Sequence, residues 1–229
     1  NTACVAFVIM PFGLHGVGLE ETIRVAHERG VPVIVDAAAE LPPRANLSKF
    51  HKMGADMVAF SGGKGIGGPQ SSGLLAGKVD LVEAAVMNSL NLDSSVAGIG
   101  RPMKVSKENI VGLVTAIQLF TDSDEAAEWE NWQLKAQYVA DRLQDIDGVH
   151  VEIEDDPAER QGPQPVLYFE DDFQGPTIPD IKGQLENGDP AIFVGGGIER
   201  SEINIVMVNV QDGEEIVIAD RMKEILRRS

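Results

Sequence analysis

Two short apolar runs, each followed at once by a polar residue, constrain the fold of this chain more than any other feature. Residues 31–35 (VPVIV) end at Asp36, and residues 57–60 (MVAF) end at Ser61. Neither run alternates apolar and polar residues, which is typical of strands that are covered on both faces of a parallel sheet. Helical segments before and between these runs complete a βαβ pattern, whose crossovers are right-handed. The pattern predicts an α/β fold with a mostly parallel sheet.

The carboxyl ends of these two strands are where we expect the chemistry. Ligands of open α/β sheets bind at that edge, and here it carries a carboxylate, Asp36, and an amine, Lys64. Pyridoxal 5'-phosphate (PLP) requires this pair, because its aldehyde forms a Schiff base with a lysine amine and its ring nitrogen stays protonated beside a carboxylate. We therefore predict that Lys64 and Asp36 bind PLP and act in catalysis.

Three further residues complete the predicted cofactor site. Ala38 would let the ring lie flat against the strand end, Ser61 would bond the phosphate, and Gly63 lies in a glycine-rich turn whose backbone N–H groups would assist. The alternative interpretation is that Asp36 caps a helix and Lys64 is a solvated loop residue. Two competing motifs fail, because no Ser or Thr follows Lys64 as in a phosphate-binding P-loop, and no KTG follows SGGK as in penicillin-binding proteins.

The sequences DAAAELPP and FSGGKGIGGPQSSG, and later GIGRPMKVSKENIVGL, resemble the fold-type-I PLP enzymes of the bacterial selenocysteine synthase group. That group includes the selenium transferase acting on seryl-tRNA and D-glucosaminate-6-phosphate ammonia-lyase. The resemblance begins at about residue 5 and is sharpest over residues 31–73 and 98–105. It implies a PLP-binding large domain and a small C-terminal domain that closes over the active site. Such enzymes carry a substantial segment before this point, so we expect the large domain to be incomplete at its N-terminus.

Four more polar residues are candidates for contacts at this site. Arg101 lies in a long irregular segment over residues 91–103, and its planar guanidinium suits the acid group of a substrate. The alternative is a surface arginine that only keeps the loop solvated. Gln70, Ser71 and Ser72 could contact the cofactor or a neighbouring subunit, or could simply form turn hydrogen bonds.

The second half of the chain differs in composition from the first. Ser106 is a predicted N-cap for a helix over residues 110–120, and a long amphipathic helix over residues 126–146 follows. Short alternating segments (VHVEIE and PVLYFE), strand-like runs over residues 191–194 and 203–210, and a closing helix over residues 214–227 then predict a small α+β domain. We predict a PLP-binding large domain over residues 1–122, a connecting helix over 123–148 and the small domain over 149–229.

Charge and cysteine usage restrict the partners and the compartment. The formal net charge is −17, from 36 acidic against 19 basic residues, which opposes binding to nucleic acid. Cys4, the single cysteine, excludes an intrachain disulfide, and its apolar neighbours predict a buried thiol. The apolar run over residues 3–10 is too short to cross a membrane and lacks a basic leader, so we expect a cytoplasmic protein. No metal-ligand spacing is present, so no metal is predicted.

The leading functional hypothesis is a PLP-dependent lyase that acts on a small amino acid or amino-sugar acid by α,β-elimination and deamination. In this hypothesis Lys64 moves protons at the substrate α-carbon and Asp36 keeps the ring cationic. The resemblance implies a homo-oligomer. One alternative is a selenium transferase acting on L-seryl-tRNA, which the acidic charge disfavours. Another is a truncated, catalytically silent PLP-fold protein that binds a partner.

Overall fold

The computed structural model describes residues 1–9, 16–89, 98–156, 161–196 and 201–227. The chain divides into two compact units, Asn1–Ser123 and Asp124–Ser229. The division into large domain, connecting helix and small domain stays a prediction; in the structure the long helix belongs to the second unit. None of the helices within the described ranges is both long and apolar enough to cross a membrane.

The first unit alternates strands and helices around one sheet. Its strands have the order β1-β2-β3-β4; β1, β2 and β3 are parallel, whereas β4 runs antiparallel to β3. The sheet is therefore mostly parallel, as predicted, because α1 and α2 return the chain to the same end of the sheet before each new strand. The elements are β1 (Val5–Val8), α1 (Leu19–His27), β2 (Val33–Asp36), α2 (Asn46–Lys52), β3 (Met57–Ser61), β4 (Gly73–Gly77), α3 (Val79–Asn88) and α4 (Lys107–Asp122), with a 3-10 turn at Arg101–Met103 between α3 and α4.

The core of the first unit lies on the central strands. Val33, Val35 and Val58 are fully buried, and helix residues Ile23 and Phe50 belong to the same apolar cluster. Each such aliphatic side chain stabilises the fold by about 1.5–3 kcal/mol when it leaves water. The continuous apolar residues of β2 and β3 are thus explained by their burial in the sheet. The first polar residue after each run lies where the strand ends.

The second unit is a separate α+β layer. Its strands form an antiparallel sheet in the order β5-β6-β7, and its core is an apolar cluster that includes Leu143, Leu167, Ile181, Ile203 and Met222. The elements are α5 (Glu125–Leu143), β5 (Val149–Glu154), β6 (Gln164–Phe169), α6 (Ile178–Glu186), β7 (Glu202–Asn204) and α7 (Glu214–Leu226), with a 3-10 turn at Met207–Asn209.

Three sequence-based predictions of local structure are wrong. Residues 191–194 form no strand, and only the first two residues of the run over 203–210 are in a strand, as the end of β7 (Glu202–Asn204). The chain then forms a 3-10 turn at Met207–Asn209. Met207 is fully buried in the core, whereas Val206 is 41% exposed, so the apolar residues here do not indicate a longer strand. Cys4 is exposed and not buried, because it precedes the first residue of β1, an edge strand of the sheet.

Candidate functional site

Asp36 and Lys64 follow the carboxyl ends of neighbouring parallel strands. Asp36 is the exposed last residue of β2, and the backbone N–H of Ala38 donates to its Oδ1 at 3.0 Å. The register pairs Asp36 with Ala59, two residues before β3 ends at Ser61. Lys64 lies in the turn directly after Ser61 and is exposed. Across the part of the chain that the structure describes, its amine has no hydrogen bond or ion pair.

The turn that carries Lys64 is closed by its own backbone. The N–H of Gly68 donates to the carbonyl of Gly62 at 2.7 Å, and the N–H of Gly67 donates to the carbonyl of Lys64 at 2.8 Å. Gly67 has a φ of +73°, in the left-handed region that favours glycine. The N–H of Gly62 also donates to the carbonyl of Ser72 at 2.9 Å. Main-chain bonds hold this turn, so the Lys64 side chain is available for chemistry.

Close contacts explain two of the glycines in the turn. A Cβ atom at Gly65 would lie 2.0 Å from the carbonyl oxygen of Leu41, and one at Gly62 would lie 2.8 Å from a methyl carbon of Leu113. Non-bonded carbon atoms pack at about 3.5–4.0 Å, so a side chain at Gly65 would displace backbone. The lysine turn therefore lies between the segment that follows Asp36 and helix α4.

The remaining predicted cofactor contacts lie at the same edge of the sheet. Ser61, half-buried, ends β3 and pairs with Gly73 of β4, while Ala38, also half-buried, lies two residues beyond Asp36. Gly63 is half-buried in the turn, and its carbonyl accepts a hydrogen bond from Nε2 of Gln70 at 3.1 Å. The strand ends thus bring together the residues for which we predicted contacts with the cofactor.

Two of the three predicted subunit-contact residues make local hydrogen bonds. Gln70 bonds the carbonyl of Gly63, and Oγ of Ser72 donates to the carbonyl of Pro69. These are the turn hydrogen bonds that we considered as the alternative role for this segment. Ser71 is exposed. A contact of Gln70, Ser71 or Ser72 with a neighbouring subunit stays a prediction.

Arg101 is exposed at the start of the 3-10 turn. Its backbone N–H donates to the carbonyl of Gly98 at 3.1 Å, and the N–H of Gly100 donates to the carbonyl of Asn88 at 2.7 Å, which joins this segment to the end of α3. Residues 91–97 of the predicted loop lie outside the described residues. No contact among the described residues joins Arg101 to Asp36 or Lys64, so its role toward a substrate acid stays a prediction.

Glu40 is an ionisable group near the site that the sequence analysis missed. It is half-buried in the segment after Asp36, and its backbone carbonyl accepts a hydrogen bond from Nδ2 of Asn46 at 2.7 Å. Burial raises the pKa of its carboxyl, while the nearby charge of Lys49 acts in the opposite direction. The letters DAAAELPP contain this acid but give no indication that it is partly removed from water.

A second polar cluster lies at the amino ends of the strands. Asp56, which is buried, accepts the N–H of Val33 at 2.7 Å and pairs with His27 Nε2 at 2.8 Å and Lys78 Nζ at 2.6 Å. Desolvation raises the pKa of Asp56, but the bonds from Lys78, His27 and Val33 outweigh it and lower the pKa to about 2. Because Asp56 precedes β3 and Val33 begins β2, this cluster lies at the opposite edge from Asp36, and we assign it a structural role.

The donor set at the carboxyl ends fits PLP. Lys64 supplies an amine without a described partner, and Asp36 supplies a carboxylate of which Oδ1 accepts a single described bond from Ala38. Such a carboxylate can bond a protonated ring nitrogen. The N–H groups of Gly62, Gly67 and Gly68 donate within the turn, and the N–H of Gly63, which has no described acceptor, suits a phosphate. Within the described ranges no group of three His, Cys, Asp or Glu side chains is arranged to hold a metal ion.

The chain is similar in sequence to known proteins. The family model for aminotransferase class-V matches residues 17–167, more than half of the chain. A 5'-C-glycyluridine monooxygenase-decarboxylase from a Streptomyces species is 31% identical over 217 residues, which cover 92% of this chain and 50% of that protein. An L-seryl-tRNA(Sec) selenium transferase from Solidesulfovibrio magneticus is 32% identical over 119 residues, which cover 48% of this chain and 23% of that protein.

A solved structure gives the same result in three dimensions. The structure of D-glucosaminate-6-phosphate ammonia-lyase superimposes with a TM-score of 0.70 at 27% identity, covering 98% of this chain and 57% of that one. The chain spans about half the length of the curated relatives it matches. These matches confirm the resemblance predicted from the motifs around Asp36 and Lys64. The chain belongs to the aminotransferase class-V family, whose members with this fold are PLP-dependent enzymes.

Proposed function

We propose that this chain binds PLP through Lys64 and Asp36 and belongs to a lyase that removes a β-substituent and the amino group from a small amino acid or amino-sugar acid. One observation carries the proposal: an exposed amine without a described partner and an exposed carboxylate follow the carboxyl ends of adjacent parallel strands. The similarity to an ammonia-lyase over nearly the whole chain supports the reaction class.

Each residue has a defined role in this proposal. Lys64 would hold the cofactor through its aldehyde, and, once the substrate amine has displaced it, its freed amine would take and return the proton at the substrate α-carbon. Asp36 accepts a charge-assisted hydrogen bond from the ring nitrogen. When bound, the cofactor supplies an electron-withdrawing ring next to the bond that breaks. Ser61 and the N–H of Gly63 would bond the phosphate, and Arg101 would bind the substrate acid group.

The cofactor part of the proposal is tested by reduction with borohydride. The purified chain is mixed with PLP, its absorbance is recorded, and borohydride is added before peptide mapping by mass spectrometry. We expect a borohydride-sensitive band and a pyridoxyl label on Lys64. Lys64→Ala should remove both, whereas Lys52→Ala, which changes an exposed lysine at the end of α2, should leave both unchanged. Absence of the band in the unsubstituted chain would overturn the proposal.

The reaction class is tested separately by its products. Amino acids with a leaving group on the β-carbon and amino-sugar acids are incubated with the PLP-loaded chain, and ammonia and 2-keto acid are measured. We expect both products in equal amounts. Asp36→Asn should lower the rate of product formation by about a hundredfold, because it removes a positioned negative charge. Release of carbon dioxide without ammonia would show decarboxylation and would contradict the elimination that we propose.

The proposal does not extend to seryl-tRNA as a substrate. A net charge of −17 repels phosphates, whose binding depends on Lys and Arg. The sequence similarity to two selenium transferases covers 48% and 64% of the chain, against 90% for the ammonia-lyase. A shift of seryl-tRNA on a native gel at moderate salt would contradict this choice.

We also propose that the chain self-associates through the outer face of α4. That face exposes Ile110, Val111, Val114 and Leu119, each between 52% and 68% exposed. Aliphatic side chains grouped at helical spacing favour burial against another apolar surface, and a second copy presents the same surface. Sedimentation should show an oligomer that Val111→Glu dissociates, while Ser48→Glu on exposed α2 should not. A monomeric unsubstituted chain would overturn this proposal.

A further inference from the structure

We infer that Arg44 is a positioning residue that holds the segment after Asp36 and helix α4 around the lysine turn. The inference rests on the proposed function, because it concerns the geometry of Asp36 and Lys64. Arg44 itself lies eight residues beyond Asp36, at the end of the segment DAAAELPPR. Its partners lie at the far end of α4.

The guanidinium of Arg44 is bound to the C-terminal end of α4. Its Nη2 donates to the carbonyl oxygen of Ser123 at 2.8 Å and lies 3.0 Å from Oγ of the same residue. Its Cζ lies over the ring of Phe120, 5.8 Å from the centroid. A cation is favoured here by the unpaired carbonyls at a helix C-terminus and by the aromatic face. Arg44 is half-buried, so these bonds are partly shielded from water.

On one side, Arg44 anchors a folded segment that touches the lysine turn. The N–H of Glu40 donates to the carbonyl of Ala37 at 3.1 Å, which keeps the segment bent close after Asp36. The carbonyl oxygen of Leu41 lies so close to Gly65 that a Cβ atom there would approach it to 2.0 Å. Movement of the segment at Arg44 would therefore move the backbone against which the residue next to Lys64 packs.

On the other side, α4 packs against the same turn. Leu113 and Ala116 are buried on the inner face of α4. A Cβ atom would lie 2.8 Å from Leu113 Cδ1 at Gly62 and 3.2 Å from Ala116 Cβ at Gly68. The lysine turn is thus in contact with both supports, and Arg44 joins the two supports to each other. The lysine turn, the segment after Asp36 and helix α4 are therefore each in contact with the other two.

Only an arginine satisfies this arrangement fully. A planar guanidinium can donate to Ser123 and lie over Phe120 at the same time, whereas a lysine ammonium is a single point charge. Without Arg44 the lysine turn keeps its own backbone bonds, but the segment after Asp36 and α4 lose the hydrogen bonds that join them through this guanidinium. The separation of Asp36 from Lys64 then becomes more variable.

The test compares Arg44→Met, Arg44→Lys and Arg29→Met in the full chain. Arg29 is an exposed arginine just after α1 and serves as the matched control. Amide hydrogen exchange is measured without cofactor over residues 37–45 and 62–68 and over the buried strands β2 and β3. PLP affinity is then measured from the absorbance of the bound cofactor.

We expect Arg44→Met to speed exchange at least tenfold in the two loops and to leave the strands unchanged. Its PLP affinity should fall about tenfold, with Arg44→Lys intermediate and Arg29→Met equal to the unsubstituted chain. Equal acceleration in loops and strands would indicate a general loss of stability and would overturn the inference, as would unchanged exchange in the loops. The exchange experiment needs no cofactor, so a chain that fails to bind PLP would count against the proposed function and not against this inference.

Discussion

The carboxylate of Asp56 accepts the backbone N–H of Val33 at 2.7 Å and so joins the residue before β3 to the first residue of β2. This bond fixes the alignment of two strands at their amino ends. The same alignment pairs Asp36 with Ala59 at the other end of the ladder. A structural carboxylate at one edge of the sheet therefore contributes to the register on which the candidate site at the opposite edge depends.

Asp56 should make the stability of the fold depend on acid pH. Its pKa is about 2 in the folded chain, below its ordinary value of 3.8. A group whose pKa is lowered by folding stabilises the fold above its unfolded pKa, and that contribution is lost as pH falls from about 4 toward 2. We expect Asp56→Asn to lower the free energy of unfolding at pH 7 by about 1–3 kcal/mol.

Urea unfolding at a series of pH values checks this prediction. The curves of the unsubstituted chain and of Asp56→Asn should converge at the acid end, where Asp56 is protonated in both states. Asp122→Asn, which changes an exposed acid at the end of α4, should change the free energy of unfolding at pH 7 by no more than about 0.5 kcal/mol. Parallel curves for Asp56→Asn would contradict the assigned pKa.

Two glycine-to-alanine substitutions should change stability in opposite directions. Gly65→Ala places a methyl group against the Leu41 carbonyl, so we expect the free energy of unfolding to fall by about 1–3 kcal/mol and PLP binding to weaken. Gly183 lies inside α6, and its added Cβ would meet no atom within 4 Å. Gly183→Ala should therefore raise the free energy of unfolding by about 0.5–1 kcal/mol.

Chemical unfolding of both glycine variants provides the measurement. If Gly65→Ala were as stable as the unsubstituted chain and bound PLP equally well, the close approach of the lysine turn to Leu41 would be wrong. Loss of stability in Gly183→Ala would show that position 183 is packed more tightly than the structure describes.

Removing the N-cap of α4 should weaken the helix that supports the lysine turn. Oγ of Ser106 accepts the backbone N–H of Asn109 at 3.2 Å. We expect Ser106→Ala to cost about 1 kcal/mol of folding free energy, because that N–H loses its acceptor. Ser106→Asp keeps an acceptor and adds a negative charge at a helix N-terminus, so it should be at least as stable as the unsubstituted chain. Thermal unfolding of the unsubstituted chain and the two variants measures these differences. If Ser106→Ala were as stable as the unsubstituted chain, the N-cap role of Ser106 would be contradicted.

Tyr168 should ionise at unusually high pH. Burial raises its pKa to about 12, and the hydrogen bond to Glu154 adds to the effect. Because the folded state favours the neutral phenol, the contribution of Tyr168 to stability is complete below about pH 10 and is lost as pH rises through 12. In an alkaline titration of tyrosinate absorbance, Tyr168→Phe should remove the step near pH 12, and Glu154→Gln should move it to lower pH. A step that stays in place in Tyr168→Phe would refute the assignment.

The sequence predicted best those features that depend on neighbouring residues. The apolar runs ending at Asp36 and Ser61, and the cap at Ser106, were recognisable because each requires only a few adjacent letters. The turn at Lys64 was equally accessible, since glycines on both sides of it indicate a turn after a strand. These local signals were sufficient to predict a mostly parallel sheet and to propose the position of its site.

Features that join distant segments were not predictable in the same way. The partners of Asp56 come from α1, β2 and the residue after β4, and Arg44 binds the end of α4. No short pattern relates such residues, because only the finished fold brings them together. The prediction that Cys4 is buried was wrong for a related reason. Apolar neighbours in sequence do not show whether a strand lies at the edge of a sheet.

The pairing of Asp36 with Ala59 also affects how distant homologues should be recognised. Hydrogen bonds across the β2–β3 ladder, and not the number of residues between the strands, set the alignment of the two strand ends that the acid and the lysine turn follow. Insertions or deletions in α2 and in the turn that follows it, beyond the segment that Arg44 holds, can accumulate without moving the two strand ends. A search keyed to a fixed number of residues between acid and lysine would therefore miss true members, whereas one keyed to successive strand ends would retain them.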